Sequence, residues 1–367
     1  MIKSNPRVLV APLDWGLGHA GRCIPVAKAL LKRGAIPVIA GPEVVRRRIL
    51  QSLNGLEEIE IPGYNISYSR FLPAWFKISI QSGRIMEMIR KEKIWVDQIM
   101  KSHRIDGIIS DNRYGIFHSK IPSVLMTHQL NLQIPSGIGF IREFVDQRIH
   151  GMAECFREVW IPDISDKGGN SLISGHLSFP VSKNISVRYI GLLSRFEEPE
   201  KIQQTNQLHD LLVIISGPQP QASEFFKTAA SFAQKNDLNS IFIISDRSIL
   251  DKKSAKKKQI ILVNPDDDKF LNIMNSSRNI LCRSGYSSIM DLIHLKRKAI
   301  LVPTPGQTEQ EYLASRMKEK YRWDSISQKK LAKASDDLFT SKEGNHHIPE
   351  VSEELLSNAI DHFLKNL

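Results

Sequence analysis

Cysteine is scarce. The 367 residues hold three, Cys23, Cys155 and Cys282, an odd number with no Cys-x-x-Cys pair. That argues against a disulfide scaffold or a cysteine-based metal site and fits a reducing cytoplasm. Long apolar runs are missing too: no stretch reaches the 18 or so residues that a membrane-spanning helix needs. The apolar run Val8–Pro12 is too short for the core of a secretory signal. The chain therefore reads as cytoplasmic, soluble or peripheral on the inner face of a membrane. No short-period repeat appears.

Hydrophobic residues make up 41% of the chain and charged residues 24%, which excludes wholesale disorder. At roughly 100–200 residues per domain, the length suggests two domains. The net charge is +11, and residues 1–200 carry 26 Lys and Arg against 19 Asp and Glu. Such a surplus admits an anionic partner: nucleic acid, a membrane surface or a phosphorylated substrate. Nucleic acid is disfavoured, because the charge is dispersed and basic residues do not interleave with aromatics as in a binding module.

The first half alternates strands and helices. Arg7–Ala11 is a short apolar run of the kind buried in parallel sheets. A glycine-rich turn follows, and Ile24, Ala27, Leu30 and Leu31 then share one helical face up to Arg33-Gly34. Strands are expected at Ile36–Ala40, Glu57–Ile61, Asp106–Ser110, Ser123–Met126 and Glu158–Ile161. Helices are expected at Glu43–Leu50, Ser79–Lys101 and Ile141–Phe156. A polar, proline-broken stretch at 199–210 reads as a linker. After it the pattern restarts, with strands at Leu211–Ile215, Ser240–Ser245, Gln259–Val263, Asn279–Cys282 and Ala299–Val302. Helices are expected between them at Ala222–Gln234, Asp267–Met274, Ser287–Leu295 and Gln310–Lys320. The expected class is α/β, with two doubly wound parallel sheets: a domain over 1–198, a second over 211–350, and a C-terminal helix in 351–367 packing back on the first.

Three motifs carry chemistry. The first, Asp14-Trp-Gly16-Leu-Gly18-His19-Ala-Gly21-Arg22, follows a strand and opens a helix. Free N–H groups at a helix start suit an anion, and His19 stands where ligands bind in open α/β sheets. Its imidazole suits a base near neutral pH, or equally a helix cap. Gly16, Gly18 and Gly21 spell a dinucleotide fingerprint, but the acidic residue expected about 20 positions on is missing from the end of the next strand. The second motif, Cys282–Leu292, has Ser284-Gly285 turning into a helix capped by Ser287 and Ser288, with Asp291 one turn in. It suits a phosphate and a sugar diol, or is an ordinary cap. The third, Pro303–Tyr312, is a loop rich in amides and carboxylates (Gln307, Gln310, Glu311) that pair with sugar hydroxyls or simply start a helix. Asp111, in Ile109-Ser-Asp-Asn-Arg-Tyr-Gly115, ends a strand as a second acid/base or as a turn residue. Asp266-Asp267-Asp268 precedes a helix and reads as a cap cluster rather than a magnesium site.

In this order and spacing the motifs resemble the MurG-type (family 28-like) glycosyltransferases of the GT-B fold. The likeness is dense only at the motifs. Thr127-His128-Gln129-Leu-Asn131 resembles the acceptor-side His-Glu-Gln-Asn stretch, and Ile190–Arg195 resembles the segment closing the N-terminal domain. The resemblance implies an inverting, metal-independent hexosyltransferase without a cofactor, its two Rossmann-like domains facing a cleft. It would move a hexose or N-acetylhexosamine from a nucleotide sugar, UDP-linked, to a glycan or lipid-linked hydroxyl acceptor in cell-envelope synthesis. It makes His19 a catalytic candidate; the segment of Asp111 has no clear equivalent in those enzymes, and Asp111 is the second candidate from its place at a strand end, as an acid/base or an acceptor contact. The resemblance assigns the donor to Gly16, Gly18, Arg195, Ser284, Gly285, Ser287, Asp291, Gln307, Gln310 and Glu311, and the acceptor to His128, Gln129 and Asn131. Two departures stand out: Ser216-Gly-Pro218-Gln-Pro220 replaces a glycine-rich diphosphate loop, and Gln310-Glu311 replaces paired glutamines.

Two rivals share these features. Nucleotide-sugar hydrolases of the same architecture have a similar Gly-x-x-x-Arg-Cys loop, here Gly18 to Cys23. A non-catalytic nucleotide-sugar-binding protein is the other. The segment Tyr68–Lys77, with Phe71, Trp75 and Phe76 beside Arg70 and Lys77, suits either contact with anionic lipid or a core-covering loop.

Overall fold

The apolar runs become the strands of two separate parallel sheets. A computed structural model describes residues 5–64, 82–133, 139, 142–165, 171–179, 182–197, 208–250, 258–339 and 354–367. Phe71, Trp75 and Phe76 lie outside these described residues. The described residues divide into two compact units, one holding those up to Arg195 together with the C-terminal helix, the other those from Phe196 to Phe339.

The first unit is built from β1 (Arg7–Pro12), α1 (Leu17–Leu31), β2 (Ile36–Gly41), α2 (Glu43–Ser52), β3 (Glu57–Glu60), α3 (Ser82–Ser102), β4 (Gly107–Asp111), β5 (Ser123–Met126), α4 (Arg142–Ala153), β6 (Glu158–Ile161) and β7 (Val187–Tyr189). Its sheet has the order β3-β2-β1-β4-β5-β6-β7, and every pairing is parallel. Strands β1, β4 and β5 are buried along almost their whole length, which is why each carries a run of consecutive apolar residues. Edge strand β3 alternates instead, with its glutamates Glu58 and Glu60 facing water. From β1 the chain builds outward to β3, then returns to the other side of β1 at β4. The gap between the carboxyl ends of β1 and β4 is therefore the switch point, where open α/β sheets bind ligands.

The second unit contains β8 (His209–Ile215), α5 (Gln221–Lys235), β9 (Ser240–Ile244), β10 (Gln259–Val263), α6 (Asp267–Asn275), β11 (Ser277–Cys282), α7 (Tyr286–His294), β12 (Ile300–Leu301), α8 (Thr308–Tyr321) and α9 (Gln328–Leu331). The order β10-β9-β8-β11-β12 places its switch point between β8 and β11. Phe225, Phe226, Phe232 and Phe242 fill the core beneath.

The last helix, α10 (Glu354–Lys365), belongs to the first unit. Arg33, in the turn after α1, pairs with Asp361 and donates to the Ser357 carbonyl at 3.1 Å. The Phe363 ring meets Trp160 edge-on at 5.8 Å. Gly107 opens β4 directly under this helix, and a Cβ there would stand 2.7 Å from the Phe363 ring and 2.6 Å from Leu367.

Several details differ from the sequence reading. Strand β8 begins at His209, inside the expected 199–210 linker, because its main chain is already paired: Leu208 N–H to Ser276 and Asp210 N–H to Asn239, both at 2.8 Å. Strand β7, only Val-Arg-Tyr, was not expected; three residues without an apolar run give no periodic signal. Helix α7 starts at Tyr286 with Gly285 as its cap, so Ser287 and Ser288 lie inside the first turn rather than capping it. Asp266 caps α6, accepting from the Lys269 N–H at 2.7 Å.

Candidate active site

Strand β1 delivers the glycine loop to the switch point of the first unit. The Leu13 N–H donates to the Asp111 carbonyl at 3.0 Å, tying the loop to the end of β4. Gly16 has φ +111°, a backbone shape that L side chains rarely adopt, and caps α1. Gly18 and His19 fall in the first turn, and Arg22 and Cys23 one turn later.

These residues close around Asp111. The carboxylate is fully buried, and Arg22 is 2% exposed. Arg22 Nε stands 3.0 Å from both Asp111 oxygens, and Nη2 donates to Oδ1 as well. His19 Nδ1 is 3.0 Å from Asp111 Oδ2, and the Cys23 thiol is 3.7 Å from the same oxygen. His128, just past β5, places Nδ1 3.2 Å from Arg22 Nη1. Three neighbouring strand ends thus supply one cluster of His19, Asp111, Arg22 and His128. Burial alone would raise the Asp111 pKa, but Arg22 and His19 hold it down to about 2. Burial and the Arg22 charge lower the His19 pKa, outweighing Asp111. Burial and Asp111 push the Cys23 thiol up, so it is an inert filler rather than a nucleophile.

A second buried layer holds the cluster. Arg113 Nε donates to Glu92 Oε1 at 2.7 Å, and the other arm of its fork reaches the Pro62 carbonyl at 2.9 Å. Tyr64 O–H donates to Glu92 Oε2 at 2.9 Å, and its N–H donates to Asp14 in the glycine loop at 2.9 Å. Between Asp111 and Arg113, Asn112 takes the left-handed conformation, φ +57°. Gly115 is obligatory: a Cβ there would lie 2.3 Å from the Ile89 carbonyl.

Other expected residues have scaffold duties. Asn131 donates through Nδ2 to the carbonyls of His176 at 2.9 Å and Phe179 at 2.6 Å. Gln129 turns the chain by donating its N–H to Thr127 Oγ1 at 3.1 Å. Arg195 lies against α1, with Nη1 3.7 Å from the position of a Cβ on Gly21.

In the second unit, β11 leads into Arg283, Ser284 and Gly285 and so into α7. Arg283 is buried and gives hydrogen bonds to the carbonyls of Val302, Pro303 and Gln221 and to Gln328 Oε1, over the face of Phe225. It binds the loops after β11 and β12 into one piece. Ser284 Oγ donates to the Gln310 carbonyl at 2.8 Å. Ser287 and Asp291 are half-buried on the first two turns of α7. Gln307 caps α8 by accepting the Gln310 N–H at 2.9 Å. Gln310 Oε1 accepts the Thr304 N–H at 2.9 Å, and Glu311 Oε1 the Gly306 N–H at 3.0 Å. These bonds shape the loop.

Sequence patterns point to His19, Asp111 and His128 as site residues but not to Arg22, Glu92, Arg113 or Arg283. A Gly-x-x-x-Arg-Cys loop was the only local sign of Arg22.

Residues 211–361 match the model of the glycosyltransferase family 28 C-terminal domain. No curated protein sequence matches the chain. Among solved structures, the chain superposes on Arabidopsis thaliana UGT89C1 with a TM-score of 0.66 at 12% identity, covering 98% of this chain and 100% of that one. The same protein complexed with UDP-L-rhamnose gives 0.63 at 14% identity, covering 99% and 94%. A UDP-glucosyltransferase from Polygonum tinctorium capable of glucosylating indoxyl gives 0.59 at 15% identity, covering 98% and 93%. These likenesses establish the fold. The chain has the GT-B fold, and its residues 211–361 match the glycosyltransferase family 28 C-terminal domain.

Proposed function

We propose that the chain transfers a hexose or N-acetylhexosamine from a nucleotide sugar, UDP-linked, to a hydroxyl acceptor, with inversion. The His19–Asp111 pair at the β1/β4 switch point carries the reading. With its Nδ1–H turned to Asp111, His19 takes the acceptor proton at Nε2 as the oxygen attacks the anomeric carbon. Asp111 stays ionised and stabilises the imidazolium. The sugar–phosphate bond breaks, and the nucleoside diphosphate leaves with the electron pair. Gly16, Gly18, Arg195 and the N–H groups at Ser284, Gly285 and Ser287 receive its negative charge. Asp291 takes the ribose diol, while Gln310 and Glu311 take hydroxyls of the donated sugar and Gln307 shapes their loop. His128 and Gln129 meet the acceptor, and Asn131 braces the loop that carries them. The surplus positive charge of the first half suits a lipid-linked, phosphate-bearing acceptor of envelope glycan synthesis. No helix among the described residues is long and apolar enough to cross a membrane.

Water as acceptor is the second reading. It is favoured by Arg22 and Cys23, both on Asp111, which match the hydrolase-like loop. A thermal-shift screen of UDP, GDP, dTDP and CMP sugars selects the donor, and product analysis with and without lipid-linked acceptors tests the reaction. His19→Ala is expected to cut turnover roughly 10²–10⁴-fold while UDP affinity holds. Unchanged turnover removes His19 from the mechanism. Free sugar without acceptor selects the hydrolase, and binding without turnover rejects the enzyme.

A further inference from the structure

Every nitrogen of an arginine side chain is a donor and none is an acceptor, whereas a neutral imidazole has one N–H and one lone pair. Arg22 sets two of its donors against imidazole nitrogens. Its Nη2 stands 2.9 Å from Nδ1 of His19, and its Nη1 stands 3.2 Å from Nδ1 of His128. A donor facing Nδ1 is satisfied only when Nδ1 holds the lone pair, which leaves the ring proton on Nε2.

For His19 a second group competes. Asp111 Oδ2, 3.0 Å from the same Nδ1, would prefer a proton there. Asp111 already accepts from Arg22 Nε at both oxygens, from Nη2, and from the Cys23 thiol. A proton on His19 Nδ1 would also face the Arg22 Nη2–H₂ group at 2.9 Å, donor against donor. The charged and titratable groups around His19 are Arg22 and Cys23 on α1, Asp111 on β4 and His128 beyond β5, with Arg195 lying against Gly21.

We propose that Arg22 is a positioning residue that sets the tautomers of this site: without ligand, neutral His19 and His128 both carry their proton on Nε2, and His19 accepts a proton at Nε2 only after its Nδ1 bond passes from Arg22 to Asp111. The change conserves protons. Nδ1 takes one from water and donates it to Asp111 Oδ2, then Nε2 returns its own to water. Arg22 Nη2 gives up its imidazole acceptor and takes an anionic oxygen of the ligand instead. The resting site is therefore a pair of Nε2–H donors, and an anionic ligand converts one of them into a base. The catalytic consequence rests on the function proposed above; the tautomers rest on geometry alone.

The test is multiple-bond ¹H–¹⁵N correlation on the full chain with ¹⁵N-labelled histidine, at a pH where both rings are neutral. His19→Asn and His128→Asn assign the signals. The expected wild-type pattern is Nε2–H for both rings. In Arg22→Lys, which keeps the charge but loses the fork, the His19 pattern is expected to move to Nδ1–H and its titration midpoint to rise. A neutral wild-type His19 with its proton on Nδ1 overturns the proposal, as does an unchanged pattern in a folded Arg22→Lys. Where Arg22→Lys does not fold, the wild-type pattern decides alone. No turnover is needed, so a chain that shows both Nε2 tautomers yet transfers no sugar defeats the functional reading and leaves this proposal standing.

Discussion

Arg113 and Glu92 meet at 2.7 Å with 0% and 1% of their side chains exposed, so this ion pair is shut away from water. It joins α3 to the loop after β4, two residues beyond Asp111. Breaking such a pair on one side costs about 3–5 kcal/mol, because the remaining charge stays buried. Glu92→Gln is expected to lower the unfolding free energy by about 3 kcal/mol in urea titration. Replacing both residues with apolar ones of similar volume is expected to cost less than Glu92→Gln alone. A double variant that costs the sum of the single changes would show that the two charges are not coupled.

Acid is expected to weaken the first unit in two stages. His19 has a folded pKa below its ordinary 6.5, so the unfolded chain binds its proton first. Its contribution is full above about 6.5 and fades as the pH falls. Asp111, lowered from 3.8 to about 2, follows the same sign: its contribution is full above 3.8 and is lost as the pH falls through about 2. Unfolding titrations between pH 8 and 3 should show falling stability in the wild type and a shallower fall in His19→Ala. Equal slopes would show that His19 has no part in the acid response.

Asp291 faces no reacting atom in the proposed reaction, so Asp291→Ala should separate binding from chemistry. UDP affinity is expected to fall roughly tenfold, about the 1.5 kcal/mol of one charged hydrogen bond. Calorimetry with UDP alone measures this, and an unchanged affinity would reject the ribose role.

Phe363 is 3% exposed and packs edge-on against Trp160. Phe363→Ala is expected to destabilise the first unit by about 3–5 kcal/mol. Limited proteolysis, read by which fragments survive, should show cleavage before Arg195 and an intact second unit. Cleavage spread evenly over both units would contradict the assignment of α10 to the first.

The strands and most helices were legible because parallel strands covered on both faces announce themselves as short Val- and Ile-rich runs. His19 and Asp111 were legible because a glycine turn after one strand and a carboxylate at the end of another both mark the ligand edge of such a sheet. Arg22 was hidden by its position on an apolar helix, where sequence gives no warning that a guanidinium will be buried. Glu92 and Arg113 were hidden by distance: they lie 21 residues apart, and only the packing of α3 beside β4 brings them together. Gln310 and Glu311 looked like ligand contacts because of their chemistry alone. Their loop's need for hydrogen-bond acceptors became visible only with Thr304 and Gly306 in place.

The seat of α10 on the first unit separates the order of synthesis from the order of folding. Domains tend to fold as they leave the ribosome, N-terminal first. Here the helix that covers the first sheet is made only after the described part of the second unit, which emerges in between. Until Phe363 arrives, the Trp160 edge and the floor beneath Gly107 stay uncovered. Nascent chains stalled before Glu354 should therefore carry a finished second unit and an open first one, the form that chaperones would meet.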